Sequence, residues 1–200
     1  MNRGFDAPSE KPQPVLVTVK GDQPLAATVE RVELDLSRFH NGRWALQLDA
    51  AFARREAPVV LLARGVACLA VTWWAQLSPR SYLRAVSGAL FDSPLSIGFE
   101  QAAIAATVRT GPTYRLPFPS VVLNDALFQV EEVLALADKW GSRFIGADET
   151  PTDQPSNRRA PFSETEEMLL AYRVLLNCGI SYAHDSAARS ATLPALAASD

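Results

Sequence analysis

Apolar and polar positions along the chain alternate between two periods, that of strands and that of helices. Val15–Val19 is a short β-branched run, and Val29–Leu36 alternates as a half-buried or edge strand does. Val59–Ala63 is apolar throughout, the pattern of a parallel strand covered on both faces. Leu83–Phe91, with Gly88 inside it, Ser120–Leu123 and Arg143–Ile145 also predict strands. The helical period appears between them. Asn41 is placed to cap a helix over Gly42–Arg54, whose Trp44, Leu48, Ala51 and Phe52 share one face. Ala67–Leu77 predicts a helix ended by Pro79, and Glu100–Val108 another, followed by a loop at Gly111, Pro112 and Pro117. Val130–Trp140 predicts a helix with Gly141 as its C-cap. Ser163 and Glu166 form a capping-box signature that opens a last helix, to about Leu176.

Alternating strands and helices imply an α/β fold, a three-layer sandwich with a mostly parallel sheet and helices on both faces. The 200 residues suffice for one domain. Residues 1–13 are polar and proline-rich and read as a flexible leader, 14–178 as the domain, and 179–200 as a loose Ala/Ser-rich tail. No internal repeat is visible.

Composition narrows the class. The net charge of −3, with arginine in excess over lysine, gives no reason to expect nucleic acid as a partner. The start of the chain lacks an apolar signal-peptide core, and no apolar run reaches the length of a bilayer span. The expectation is a soluble, cytoplasmic protein with no membrane partner. Cys68 and Cys178 lie in apolar helical contexts without metal-ligand spacing, and no cofactor is implied. Asp148, Glu149 and Asp153 read as a solvated acidic loop rather than a metal site, and His40 and His184 as surface residues. Trp73 and Trp74 read as helix core and rim.

The densest signal is Pro58–Trp74, an apolar strand that runs through Arg64 and Gly65 into an apolar helix. A strand–corner–helix of this kind carries the nucleophile of serine hydrolases in G-x-S-x-G. With Cys68-Leu69-Ala70-Val71 and the tryptophan pair, Val86–Leu90 followed by Pro94, Leu116–Ser120, and Ala135–Ser142, the chain resembles the small serine hydrolases of the YdeN and retinoblastoma-binding protein nine group, a compact branch of the α/β-hydrolases. The resemblance covers roughly residues 15–176.

Carried over by position, the resemblance places the family's nucleophilic serine on Gly65, the residue before it on Arg64, and its second following glycine on Ala67. The triad acid falls on Asp125, within Asn124-Asp125-Ala126. The histidine falls on Thr150, in place of the family's Gly-His-Ile-Asn stretch. The long glycine-rich loop and helix after the first strand are replaced by Lys20-Gly21-Asp22-Gln23-Pro24, as though the first helix were deleted.

Acyl transfer needs a nucleophile, a base and oxyanion donors. Gly65 offers no nucleophile, Thr150 no base, and Asp125 has no histidine to orient. Glycine also relieves the strained, positive-φ backbone of the corner. Three functions remain open. The first is a noncatalytic pseudo-hydrolase that binds a protein partner or a small anionic ligand. Such an anion would rest on Arg64, Gly65 and the Val66 amide at a helix N-terminus, beside Asp125. The second is an active, carboxylesterase-like enzyme using non-standard residues, such as Asp125 activating water or His184 folding back toward it. The third is a structural subunit or homo-oligomer, since losing the first helix should uncover apolar surface. Asp125 also reads as a solvated carboxylate or as an ion-pair partner of Arg64.

Overall fold

Side chains alternate across a strand, so a strand apolar at every position must be covered on both faces. Val59–Ala63 and Val121–Leu123 meet that condition, and within Val59–Arg64 and Ser120–Asn124 every residue but Arg64 is buried. They lie inside a six-stranded, wholly parallel sheet. A computed structural model describes residues 11–20, 29–37, 42–96, 112, 114–124, 129–146 and 163–173.

The elements in chain order are β1 (Gln13–Val19), β2 (Glu30–Leu34), α1 (Arg43–Phe52), β3 (Val59–Arg64), α2 (Val66–Leu77), α3 (Arg80–Leu83), β4 (Val86–Asp92), β5 (Ser120–Asn124), α4 (Val130–Trp140), β6 (Arg143–Gly146) and α5 (Glu164–Ala171). The sheet order is β2-β1-β3-β4-β5-β6. One face presents Val15, Val17, Leu61, Ala63, Phe91 and Val122 to α1, α2 and α4. The other presents Val60, Leu62, Leu90, Val121 and Leu123, with Leu169 of α5 packed among them. Helices on both faces give the expected three layers.

Two indoles close the first layer, and each satisfies its polar atom. Trp74 is buried against Phe52, with ring centroids 5.5 Å apart, and its Nε1 donates to Asp49 Oδ1 at 2.8 Å. Trp140 meets Phe91 edge-on at 5.5 Å and donates to the Pro112 carbonyl at 3.2 Å. Trp73 is half-buried, so the tryptophan pair divides into core and rim as expected.

Several boundaries differ from the sequence pattern. Gly42, at φ +66°, stands at the N-cap of α1; Asn41, predicted as the cap, lies outside the described residues. The stretch predicted as a strand from Leu83 begins with one helical turn, α3, and β4 starts at Val86. Pro79 has no N–H to lose there and suits the start of such a turn. The predicted helix over 100–108 lies outside the described residues.

Only residues 20–29 join β1 to β2, which lie parallel in register Val15↔Glu30 to Val19↔Leu34. On the sheet Leu16, Val60 and Leu62 are buried, while Leu46 of α1 and Leu77 of α2 are exposed apolar side chains.

The capping box of α5 is present. Ser163 Oγ accepts from the Glu166 N–H at 3.3 Å, and the Ser163 N–H donates to Glu166 Oε2 at 2.8 Å. Ser163→Ala is expected to cost about 1 kcal/mol, read as a lower urea midpoint with an unchanged slope.

Candidate functional site

The strand order reverses between β1 and β3, where the chain steps out to β2 and then back across β1. Open parallel sheets bind ligands outside the carboxyl ends of their strands at such a reversal. β3 delivers Arg64 to this place, and Gly65 turns the chain into α2.

Gly65 has φ +55° and ψ −130°. Glycine takes this backbone freely, while other residues carry about 1–3 kcal/mol of strain in such regions. Its N–H donates to the Asp92 carbonyl at 3.0 Å, and its own carbonyl accepts from the Cys68 N–H at 3.0 Å. The corner is thereby pinned both to β4 and to the first turn of α2.

The segment after β4 closes over the corner. Ser93–Ser96 is a tight turn with Pro94 at its second position, and the Ser96 N–H donates to the Ser93 carbonyl at 2.8 Å. The turn is anchored to β5 by the Ser93 N–H, which donates to the Leu123 carbonyl at 2.8 Å. An ideal Cβ built on Gly65 would lie 2.6 Å from the Ser96 carbonyl oxygen. Backbone fills the space a side chain would take.

Arg64 and Asp92 end neighbouring strands in register with each other. Arg64 Nε donates to Asp92 Oδ2 at 2.5 Å, and Nη2 reaches the same oxygen. Ser93 Oγ donates to the other carboxylate oxygen at 2.9 Å. The Asp92 side chain is 2% exposed and that of Arg64 30%, so the carboxylate is buried and the guanidinium lies at the boundary with solvent. The register of β3 against β4 brings Asp92 to Arg64; Asp125, read from the sequence as a further candidate partner, lies outside the described residues. Asp92 was not singled out from the sequence. The available signal was a carboxylate directly after an apolar strand beside one ending in arginine.

Cys68 is fully buried, with its Sγ 3.6 Å from the Asp92 carbonyl. Burial pushes its thiol pKa up, and the Asp92 charge pushes it further in that direction. A thiol held protonated is a poor nucleophile. In a Cys178→Ser background, the native chain is expected to resist iodoacetamide at pH 8 and to take up one label only in urea, as followed by intact mass.

Arg64, Gly65 and Val66 thus meet at one corner, with Val66 as the first residue of α2. Asp125 and Thr150 lie outside the described residues, as do His40, His184, Cys178, Asp148, Glu149 and Asp153. Among the described residues no cluster of His, Cys, Asp or Glu could hold a metal ion. No helix among them is long and apolar enough to cross a membrane.

A model of the serine hydrolase family matches residues 18–151. The chain belongs to this family. The matched span runs from β1 through β6 and contains the Gly65 corner. The structure of a YdeN-like hydrolase from Pectobacterium atrosepticum is similar at 18% identity, over 67% of this chain and 75% of that one, with a TM-score of 0.49. No curated protein matches the chain. A six-stranded parallel sheet with helices on both faces is the α/β-hydrolase-like arrangement expected of the family.

Proposed function

We propose that this chain is a noncatalytic member of the serine hydrolase family and acts by binding. The observation that carries the reading is the Ser96 carbonyl oxygen 2.6 Å from the place of a Gly65 Cβ. A family member that attacks esters needs a side chain at this corner and open space in front of it. Here the residue has no side chain, and the turn after β4 stands where one would project.

The positions that the family resemblance assigns to the acid and the base, Asp125 and Thr150, support the same reading, because threonine takes up no proton near neutral pH. Of the two kinds of ligand, a protein partner is favoured over a small anion resting on Arg64, Gly65 and Val66. The Arg64 charge already faces the buried Asp92 carboxylate, which reduces its pull on an incoming anion. Purified chain is expected to hydrolyse p-nitrophenyl acetate and butyrate no faster than Asp125→Ala and His184→Ala variants. Turnover well above the buffer rate, lost in either variant, would overturn the reading in favour of an enzyme with non-standard residues.

A further inference from the structure

The amino end of the sheet carries a second concave site with different chemistry. Val86 opens β4 there, about 20 Å along the strand from Asp92. Two adjoining cavities, of about 230 and about 460 Å³, share Arg80, Leu83 and Pro117. Arg115 and Tyr114 line the first, and Arg84 lines the second. Among the described residues no aspartate or glutamate lines either one.

These arginines differ in their pairing from four others. Arg31, Arg55, Arg64 and Arg143 each face a carboxylate. Arg80, Arg84 and Arg115 make no ion pair among the described residues; Arg84 Nε donates only to the Ser81 carbonyl, at 3.3 Å. Arg115 lies against the end of α4. Its side chain lies across Gly141, where an added Cβ would sit 2.5 Å from Nε and 2.6 Å from Cγ. Gly141, at φ +66°, ends α4 and leaves the room that Arg115 fills.

A helix end explains only part of this charge. α2 terminates beside the cleft, and its carboxyl end is equivalent to roughly half a negative charge. One guanidinium answers that, and the cleft has three. The chain as a whole carries −3, so the patch runs against its composition. Tyr114 stands 74% exposed at the rim, while Leu83 is buried in the floor. Arginine and tyrosine are the side chains that protein interfaces favour, and open clefts of one sign select partners of the other.

We propose that this cleft docks an acidic, extended segment of a protein partner. Its carboxylates meet Arg80, Arg84 and Arg115, and an apolar side chain lies against Leu83 and Pro117. The site is independent of the Gly65 corner, so it stands or falls whether or not the chain is an enzyme.

The test is fluorescence anisotropy of the full chain with a short labelled peptide of Asp, Glu, Leu and Ser. A counterpart with lysine in place of the acids serves as the control. Saturable binding of the acidic peptide is expected, weakening with salt. Arg80→Glu with Arg115→Glu should raise its Kd by about tenfold or more. Arg31→Glu with Lys20→Glu makes the same change in net charge at the β1–β2 edge, on residues that line neither cavity, and should leave the Kd unchanged. Unchanged thermal midpoints establish that both double variants fold. Equal weakening by the two, equal binding of the lysine peptide, or no saturable binding overturns the proposal. So does arginine-dependent binding of inorganic pyrophosphate without binding of the peptide, which makes the cleft a small-anion site.

Discussion

Gly65→Ser is expected to weaken the fold by about 2–4 kcal/mol and to confer no covalent reactivity. The backbone supplies the first part of the loss. A serine held at φ +55° and ψ −130° carries about 1–3 kcal/mol of strain that glycine does not. The Ser96 carbonyl supplies the rest, because an atom 2.6 Å from the new Cβ has to move. That oxygen belongs to a turn tied at Ser93 to the Leu123 carbonyl of β5, so the shift is resisted. Urea unfolding measures the loss. Gly65→Ala shares the Cβ and should lose a similar amount, which separates the steric cause from any effect of the hydroxyl. A serine variant as stable as the parent would contradict the closed corner.

Arg64→Met is expected to cost about 3 kcal/mol, near the lower end for breaking a buried ion pair by removing one partner. The loss comes from what stays behind: a carboxylate 2% exposed, with its guanidinium partner gone. Two features moderate it. Arg64 is partly exposed, so water reaches the vacated side, and the Ser93 hydroxyl still donates to Asp92. Adding Asp92→Asn to Arg64→Met should recover more than about 1 kcal/mol, because it removes the stranded charge. Denaturation of the two single variants and the double variant completes the cycle. Additive losses would show that the pair is not coupled.

The parts of the fold visible in the sequence are those governed by local chemistry. Val130–Trp140 with its Gly141 cap, and the Ser163–Glu166 capping box, follow from apolar spacing and from side chains that bond their own backbone. The β3–Gly65–α2 corner was equally visible, because an unbroken apolar strand and helix leave one place for a turn. What stayed hidden depends on elements far apart in the chain. Nothing near Arg64 names its partner; the register of β3 on β4 brings Asp92 to it. Nothing near Gly65 announces the Ser96 carbonyl, which arrives with the turn after β4. The arginine cleft joins side chains from α3 and the segment before β5, and no contiguous motif spells it out.

These observations explain how a serine hydrolase fold persists around a corner with no side chain. The β3–α2 turn is held by its own backbone hydrogen bonds, by the Arg64–Asp92 pair, and by a tight turn packed over it. None of these contacts depends on a nucleophile, so the architecture survives its absence. The most direct test is exposure of the purified chain to a fluorophosphonate probe, followed by intact mass spectrometry. No adduct is expected at any time while an active serine hydrolase alongside is fully labelled. A stoichiometric adduct, abolished by one substitution in the pocket around Gly65, would contradict it.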